Sequence, residues 1–226
     1  MDADFFRFPH TPHLAWLGPG SPRDDKVLSP AEAEVLLKHE ILVEEKLDGA
    51  NVGFSLAPDG AVRAQNRGQY LDEPYSGQFS RMTAWLAQHG SALRSALTAD
   101  TLLFGEWCAA RHSLDYIALP DWFLVFDVYD RMAGRFWSNS RRNALAASNG
   151  FTVVPQLARG KFSLETLKRL TLSTGSRYRP GPLEGVVVRR ESGEWCAARA
   201  KLVQPGFTQA IETHWRRRSV EWNRVV

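Results

Sequence analysis

At 226 residues the chain is long enough to bury a substantial core, and 44% hydrophobic residues with eight tryptophans exclude a disordered class. No apolar run approaches the roughly 20 residues of a membrane span, and the start, Met1-Asp2-Ala3-Asp4, is acidic where a secretory leader is basic. The net charge is only +3, and neither the two cysteines, Cys108 and Cys196, nor the six histidines show metal-ligand spacing, so a cytoplasmic protein with reduced, buried thiols is expected.

Residues 5–28 are rich in Pro and Gly and read as an irregular segment in which His10 and His13 are structural. Ser29-Pro30-Ala31-Glu32 starts a helix: Ser29 caps, Pro30 fits the first position and Glu32 completes a capping box. That helix ends near His39. A meander is expected over about 41–47, 51–57 and 61–66, with Pro58-Asp59-Gly60 as a hairpin turn. Residues 76–98 read as one or two helices whose apolar stripe, Met82, Trp85 and Leu86, belongs to the core. Strands follow at 101–108 and 122–129, and a hairpin through Met132-Ala133-Gly134 leads to a helix at 138–148 stopped by Asn149-Gly150. Leu164–Leu170 is a short helix. Strands at 184–190 and 195–203 join through Glu191-Ser192-Gly193, and a last helix begins near Phe207. Tight turns between neighbouring strands predict an α+β fold of mostly antiparallel sheets.

Basic residues crowd the C-terminal half, with the cluster Trp215-Arg216-Arg217-Arg218 near Trp222 suited to stacking bases and meeting phosphates. The segment Gly-Glu-Trp-Cys-Ala-Ala-Arg occurs at 105–111 and again at 193–199. Its first copy follows a buried-looking Leu-Leu-Phe, which makes Glu106 the better ligand and Glu194 a solvated strand-start residue.

The most informative six residues are Lys46-Leu47-Asp48-Gly49-Ala50-Asn51, between two runs that read as strands. Alternation puts Lys46 and Asp48 on one face, and Gly49 permits a tight turn or a close approach. Burial at a strand end lowers a lysine's pKa and frees its amine to attack, while an ordinary hairpin with a solvated Lys-Asp pair is the other reading of these six residues.

Lys-x-Asp-Gly resembles the nucleotidyl-transfer motif of the covalent superfamily of ATP-dependent ligases and RNA capping enzymes. Four further segments resemble that superfamily's motifs in order: Leu102–Trp107 with Glu106, Phe123–Val128 with Phe126, Leu183–Val188 with Glu184, and Arg199-Ala200-Lys201 in place of the usual Lys-x-Lys. Asn51 after the glycine, Glu45 before the lysine and Arg67 after the next strand are similar to the nick-sealing type of RNA ligase. DNA ligases and capping enzymes usually have Arg where Asn51 stands.

The resemblance implies two antiparallel sheets flanked by helices, with a nucleotide groove between them. It implies ATP and Mg²⁺ (or Mn²⁺) as cofactors and nucleic-acid ends or nicks as partners, RNA favoured over DNA. Lys46 would form lysyl-AMP, AMP would pass to a 5′-phosphate, and a 3′-OH would then close the phosphodiester. Asp48, Lys201 and Arg199 are the other catalytic residues so implied. Glu45, Asn51, Arg67, Glu106, Phe126 and Lys201 would contact the nucleotide, Phe126 by stacking, and Glu184 would hold the metal. An ATP-dependent DNA nick ligase, a capping-type guanylyltransferase and a non-catalytic nucleic-acid-binding module are the alternatives. Only 25 residues follow Lys201, so residues 1–226 are expected to form a single adenylyltransferase domain without a C-terminal helical domain or an oligonucleotide-binding barrel. A partner protein could supply such a part.

Overall fold

The computed structural model describes residues 5–20, 22, 26–210 and 220–226. The Trp215–Arg218 cluster lies outside the described residues. Among the described residues nine strands form two wholly antiparallel sheets. The first sheet contains β1 (Ile41–Lys46), β7 (Gln156–Gly160), β8 (Gly185–Ser192) and β9 (Trp195–Val203) in the order β7-β1-β8-β9. The second contains β2 (Ala50–Leu56), β3 (Val62–Gln65), β4 (Thr101–Trp107), β5 (Phe123–Asp130) and β6 (Arg135–Phe136) in the order β3-β2-β4-β5-β6.

The helices form where capping and apolar spacing place them. Ser29 closes a capping box with Glu32 at the start of α1 (Pro30–Leu37). Met82, Trp85 and Leu93 of α2 (Met82–Ala96) are buried against β2, β4 and β5. Ser138 caps α3 (Asn139–Ser148), and Ser163 caps α4 (Leu164–Ser173), which runs three residues beyond its expected end. A last helix, α5, spans Pro205–Ala210.

One expectation fails in an instructive way. β1 and β2 are not neighbours in a meander. The Leu47-Asp48-Gly49 link carries the chain from the first sheet to the second, so only β2 and β3 form the hairpin. β6 closes the expected hairpin through Met132-Ala133-Gly134, whereas β7 was not expected at all. β7 pairs with β1 through a bulge at Leu157, and its sequence has no β-branched residue to mark it.

Strand alternation then assigns every side chain to a layer. Outward faces pack on helices: Ile41, Val43, Val186, Val188, Ala200 and Leu202 meet Leu36 of α1 and Leu167 of α4 in one cluster. Val52, Phe54, Leu103, Trp107, Phe123 and Val125 meet α2 in another. The inward faces look at each other across a cleft whose lining includes Glu44, Lys46, Asn51, Glu106, Asp127 and Lys201.

Candidate active site

The cleft between the sheets has a volume of about 470 Å³, and Lys46, Asn51, Arg67, Glu106, Phe126, Arg199 and Lys201 all border it. Lys46 is the last residue of β1, opposite Gly185 at the start of β8. A Cβ on Gly185 would lie 2.2 Å from the Leu202 carbonyl oxygen, so only glycine lets β8 and β9 close up here. Gly49 is required for the same reason: a Cβ there would lie 2.5 Å from the Trp107 carbonyl oxygen. The motif glycine thus serves a close approach to β4 and not a positive φ.

Lys46 Nζ donates to both oxygens of Glu184, at 2.6 and 2.7 Å. Glu106 accepts a hydrogen bond from the Gly49 backbone N–H at 3.0 Å. Burial pushes the carboxyls of Glu106 and Glu184 up to about 7 against the pull of Lys46, and Asp48 adds to the push. For Lys46 itself burial favours the neutral amine, as expected from sequence. The opposing attraction of Glu184, Glu106 and Asp48 is stronger, and the pKa is raised, not lowered. The side chains alone therefore hold Lys46 as an ammonium.

Asp48 is placed differently from what alternation suggested, and Glu45 is engaged away from Lys46. Asp48 lies past the strand end, where its Oδ2 accepts the backbone N–H groups of Ser113 and Leu114 at 2.6 and 2.8 Å. It braces the Lys46 loop. Glu45 borders the cleft, but its carboxylate accepts from Ser176 Oγ and the Arg177 N–H at 2.6 and 3.0 Å, on the opposite side of β1 from Lys46.

Phe126 reaches the cleft because β5 is bulged. Phe104 opposes Asp127 and Gly105 opposes Val125, so Phe126 has no partner on β4. A bulge turns consecutive residues toward one side. The freed Phe126 carbonyl accepts from Arg142 and Arg189 at 2.6 and 3.2 Å. Asn51 Oδ1 and Arg67 Nε are buried without a hydrogen-bond partner among the described residues, and both belong to cleft-lining side chains. Lys201 stands opposite Val187 on the cleft-facing side of β9.

Arg199 is committed elsewhere. Its guanidinium pairs with Asp127 and lies over the rings of Phe8 and Phe136, 4.5 and 4.1 Å from their centroids. It belongs to a buried ionic cluster that sequence reasoning missed. Arg142 pairs with Glu44 at 2.6 Å, Arg189 with Asp127 at 2.7 Å, and Asn139 donates to Glu44 at 2.7 Å. These residues come from β1, β5, α3, β8 and β9, so the cluster ties the two sheets together directly behind the cleft. Phe8 and Thr11 of the N-terminal segment also line the cleft, because Lys201 N–H donates to the Pro12 carbonyl and Leu14 N–H to the Lys201 carbonyl. Of the two cysteines, both unbridged, Cys108 is buried as expected and Cys196 is only partly covered. His13 is buried against β9, in keeping with a structural role.

A family model described as RNA ligase matches residues 39–203. The chain belongs to the RNA ligase family. A ligand-free variant of the Naegleria gruberi RNA ligase superposes with a TM-score of 0.60 at 15% identity, covering 80% of this chain and 54% of that one. A variant of the same ligase with ATP and Mn gives 0.61 at 15%, covering 92% and 64%. An archaeal ATP-dependent RNA ligase gives 0.57 at 22%, covering 88% and 48%. The chain thus spans roughly half to two thirds of the solved ligases it matches. A search of curated proteins returns no match. The two antiparallel sheets flanked by helices are the nucleotidyltransferase fold of these ligases.

Proposed function

We propose that this RNA ligase family member joins nucleic-acid ends at the expense of ATP, with Lys46 as the group that carries AMP. The observation behind the reading is the position of Lys46: an amine in the inter-sheet cleft, hydrogen-bonded twice to Glu184 and faced by Glu106. Family membership and the likeness to solved ATP-dependent RNA ligases support it.

In the first step the Nζ–P bond forms at the α-phosphorus of ATP as the P–O bond to pyrophosphate breaks. An ammonium has no lone pair, so Lys46 must first give up a proton. Glu184, at hydrogen-bond distance and with its pKa near 7, is placed to take it. Phe126 offers an aromatic face for adenine, and Glu106 offers acceptors for ribose hydroxyls. The orphaned Asn51 Oδ1 and Arg67 Nε face the same cleft and suit the end phosphate and sugar in the two later steps. Those steps are AMP transfer to a 5′-phosphate and attack by a 3′-OH.

The acidic excess of the site fits a divalent ion. Among the described residues no three His, Cys, Asp or Glu side chains form a cage. Glu184 and Glu106 suit Mg²⁺ or Mn²⁺, hard ions that keep several waters and use few carboxylates. Such an ion would supply positive charge against the triphosphate. Lys201, across the cleft, supplies more. We further take residues 1–226 as one adenylylation unit, with RNA ends as substrate and any accessory nucleic-acid-binding part supplied from elsewhere. A cytoplasmic setting suits the unbridged cysteines, and no helix of the described residues is long and apolar enough to cross a membrane.

Intact mass after incubation with ATP and Mg²⁺ tests the first step. One added AMP is expected in the native protein and none in Lys46→Ala; an undiminished shift in that variant overturns the nucleophile. Nicked duplexes differing only in the nucleotide before the break test the substrate. Faster sealing after a ribonucleotide is expected, and equal rates on an all-DNA nick would favour the DNA ligase reading.

A further inference from the structure

Residues 220–226 lie outside the family match, yet they return to the motif loop. The segment runs along the irregular stretch 108–119. Arg111 N–H donates to the Glu221 carbonyl, Asn223 N–H to Ala109, Arg224 N–H to Tyr116, and Leu119 N–H to Arg224, all between 2.8 and 3.0 Å. Arg81 lies over Trp222 at 4.3 Å, and Arg111 pairs with Glu221 at 2.8 Å.

Asn223 is the centre of this contact and is 2% exposed. Its Nδ2 donates to the carbonyls of Cys108 and Ala110, at 2.7 and 3.3 Å, and its Oδ1 accepts the Tyr116 N–H at 2.9 Å. Its Nδ2 and Oδ1 are thus both engaged on one loop, a combination of donors and acceptor that an amide supplies and a carboxylate does not. The loop it shapes is the one that holds the nucleotidyl-transfer motif. Tyr116 is fully buried, and its Oη accepts the Asp48 backbone N–H at 2.9 Å. Ser113 and Leu114 donate their N–H groups to the Asp48 carboxylate. Leu47 packs in one cluster with Cys108, Leu114, Tyr116 and Leu119.

Lys46 is therefore anchored on one side by β1 and on the other by a loop whose shape depends on the C-terminal segment. We infer that Asn223 is a positioning residue for nucleotidyl transfer, acting through Tyr116 and Asp48 to fix the Lys46-Leu47-Asp48-Gly49 loop. The physical reason is economy of freedom: the link between the sheets has no strand partner of its own, and a displacement of about 1 Å at a reacting atom costs up to a hundredfold in rate. The inference that this matters for catalysis rests on the adenylylation reading above.

Asn223→Asp tests it with the same shape and two donors removed. Single-turnover AMP transfer to the protein separates two effects, since misfolding lowers the amplitude while misplacement lowers the rate constant. A fall of roughly ten- to a hundredfold in rate constant is expected at preserved amplitude, with the ATP concentration for half-saturation little changed. Tyr116→Phe should give a similar loss, and the double variant should be no slower than the slower single, as two links of one chain require. Independent losses that multiply, or an unchanged rate constant in both singles, overturn the assignment. Hydrogen exchange reads the clamp without nucleotide: amides 48–50 should exchange at least tenfold faster in Asn223→Asp while those of β2 and β4 stay protected. Unchanged protection overturns the clamp. Failure of the native protein to take up AMP would instead defeat the adenylylation reading and leave the exchange result to decide the clamp. Should Asn223→Asp fold poorly, Glu221→Ala, at the exposed edge of the same segment, is expected to show the same exchange pattern at smaller amplitude; no loosening of the motif loop there overturns it as well.

Discussion

Two ionic clusters lie on either side of Phe126, and they are built on opposite plans. Behind the cleft, Arg142, Arg189 and Arg199 meet Glu44 and Asp127 in close pairs, and Arg142 and Arg189 also donate to the carbonyls of Phe126 and Trp137. In the cleft, the ammonium of Lys46 faces Glu184, Glu106 and Asp48. A buried charge is tolerable when planar, multidentate partners replace its water, as arginine forks do. The first cluster meets that condition and reads as scaffold. In the second, burial raises two carboxyls to about 7 against the pull of Lys46, and the neighbouring Asp48 adds to the rise. The difference separates a framework of arginines held in close pairs and carbonyl contacts from a site whose buried carboxyls are held near 7.

The largest expected effect breaks the scaffold. Asp127→Ala leaves Arg189 and Arg199 without their shared carboxylate and should lower stability by about 3–5 kcal/mol, read as a fall in urea midpoint at unchanged slope. A loss below about 1 kcal/mol would mean that the cluster is no more than solvated packing.

The next effect is on pH dependence and sharpens the other half. Glu184 has a folded pKa above its unfolded value, so the folded state holds this proton more tightly than the unfolded chain does. Its contribution to stability is therefore greatest below about 4.5 and is lost as pH rises to about 7. In thermal melts from pH 4.5 to 8, Glu184→Gln should flatten the native protein's decline by an amount on the order of 2 kcal/mol. Mg²⁺ at pH 8 should raise the melting temperature of the native protein more than that of the variant. A native curve that rises over the same range, or equal slopes, would refute the acidic-excess description.

A smaller effect distinguishes Arg199 from Lys201. Arg199→Lys keeps the charge but loses the fork on Asp127 and the ring contacts, and should cost about 1–2 kcal/mol of stability with AMP uptake within a few-fold of native. Lys201→Arg should do the reverse, slowing AMP uptake at nearly native stability. Equal loss of AMP uptake in both would return Arg199 to the reaction. The smallest effect on folding belongs to Asn51→Ala, because Oδ1 has no partner to lose. Stability should hold within about 0.5 kcal/mol, while sealing of a pre-adenylated nick slows more than formation of the lysyl adduct.

The same contrast explains what was legible in the sequence. Lys46, Glu106, Phe126, Glu184 and Lys201 stood out because the short segments around them resemble motifs of the ligase superfamily, and the fold brings all five to the border of one cleft or beside it. The capping box and the α2 stripe were legible locally too. β7 was not, since Gln156–Gly160 is a strand only through its pairing with β1. The break between β1 and β2 was hidden because a three-residue link ordinarily closes a hairpin. The arginine cluster joins residues 98 positions apart, as in Glu44 and Arg142, and no periodicity announces such a pair. Asp48 was misplaced by one step: alternation ends with the strand at Lys46, and beyond it the backbone direction is set by Gly49 and Tyr116.

The segment 5–14 carries a practical lesson for anyone cutting the gene. A fragment trimmed to the family boundaries, residues 39–203, keeps every motif and still removes Phe8 and Thr11 from the cleft wall, the ring under Arg199, and the backbone partners of Lys201. Recognition by a family profile and completeness of the working part are different properties of this chain. A purification tag fused close to Phe5 would sit a few residues from the substrate, and a detachable one is the safer choice of design.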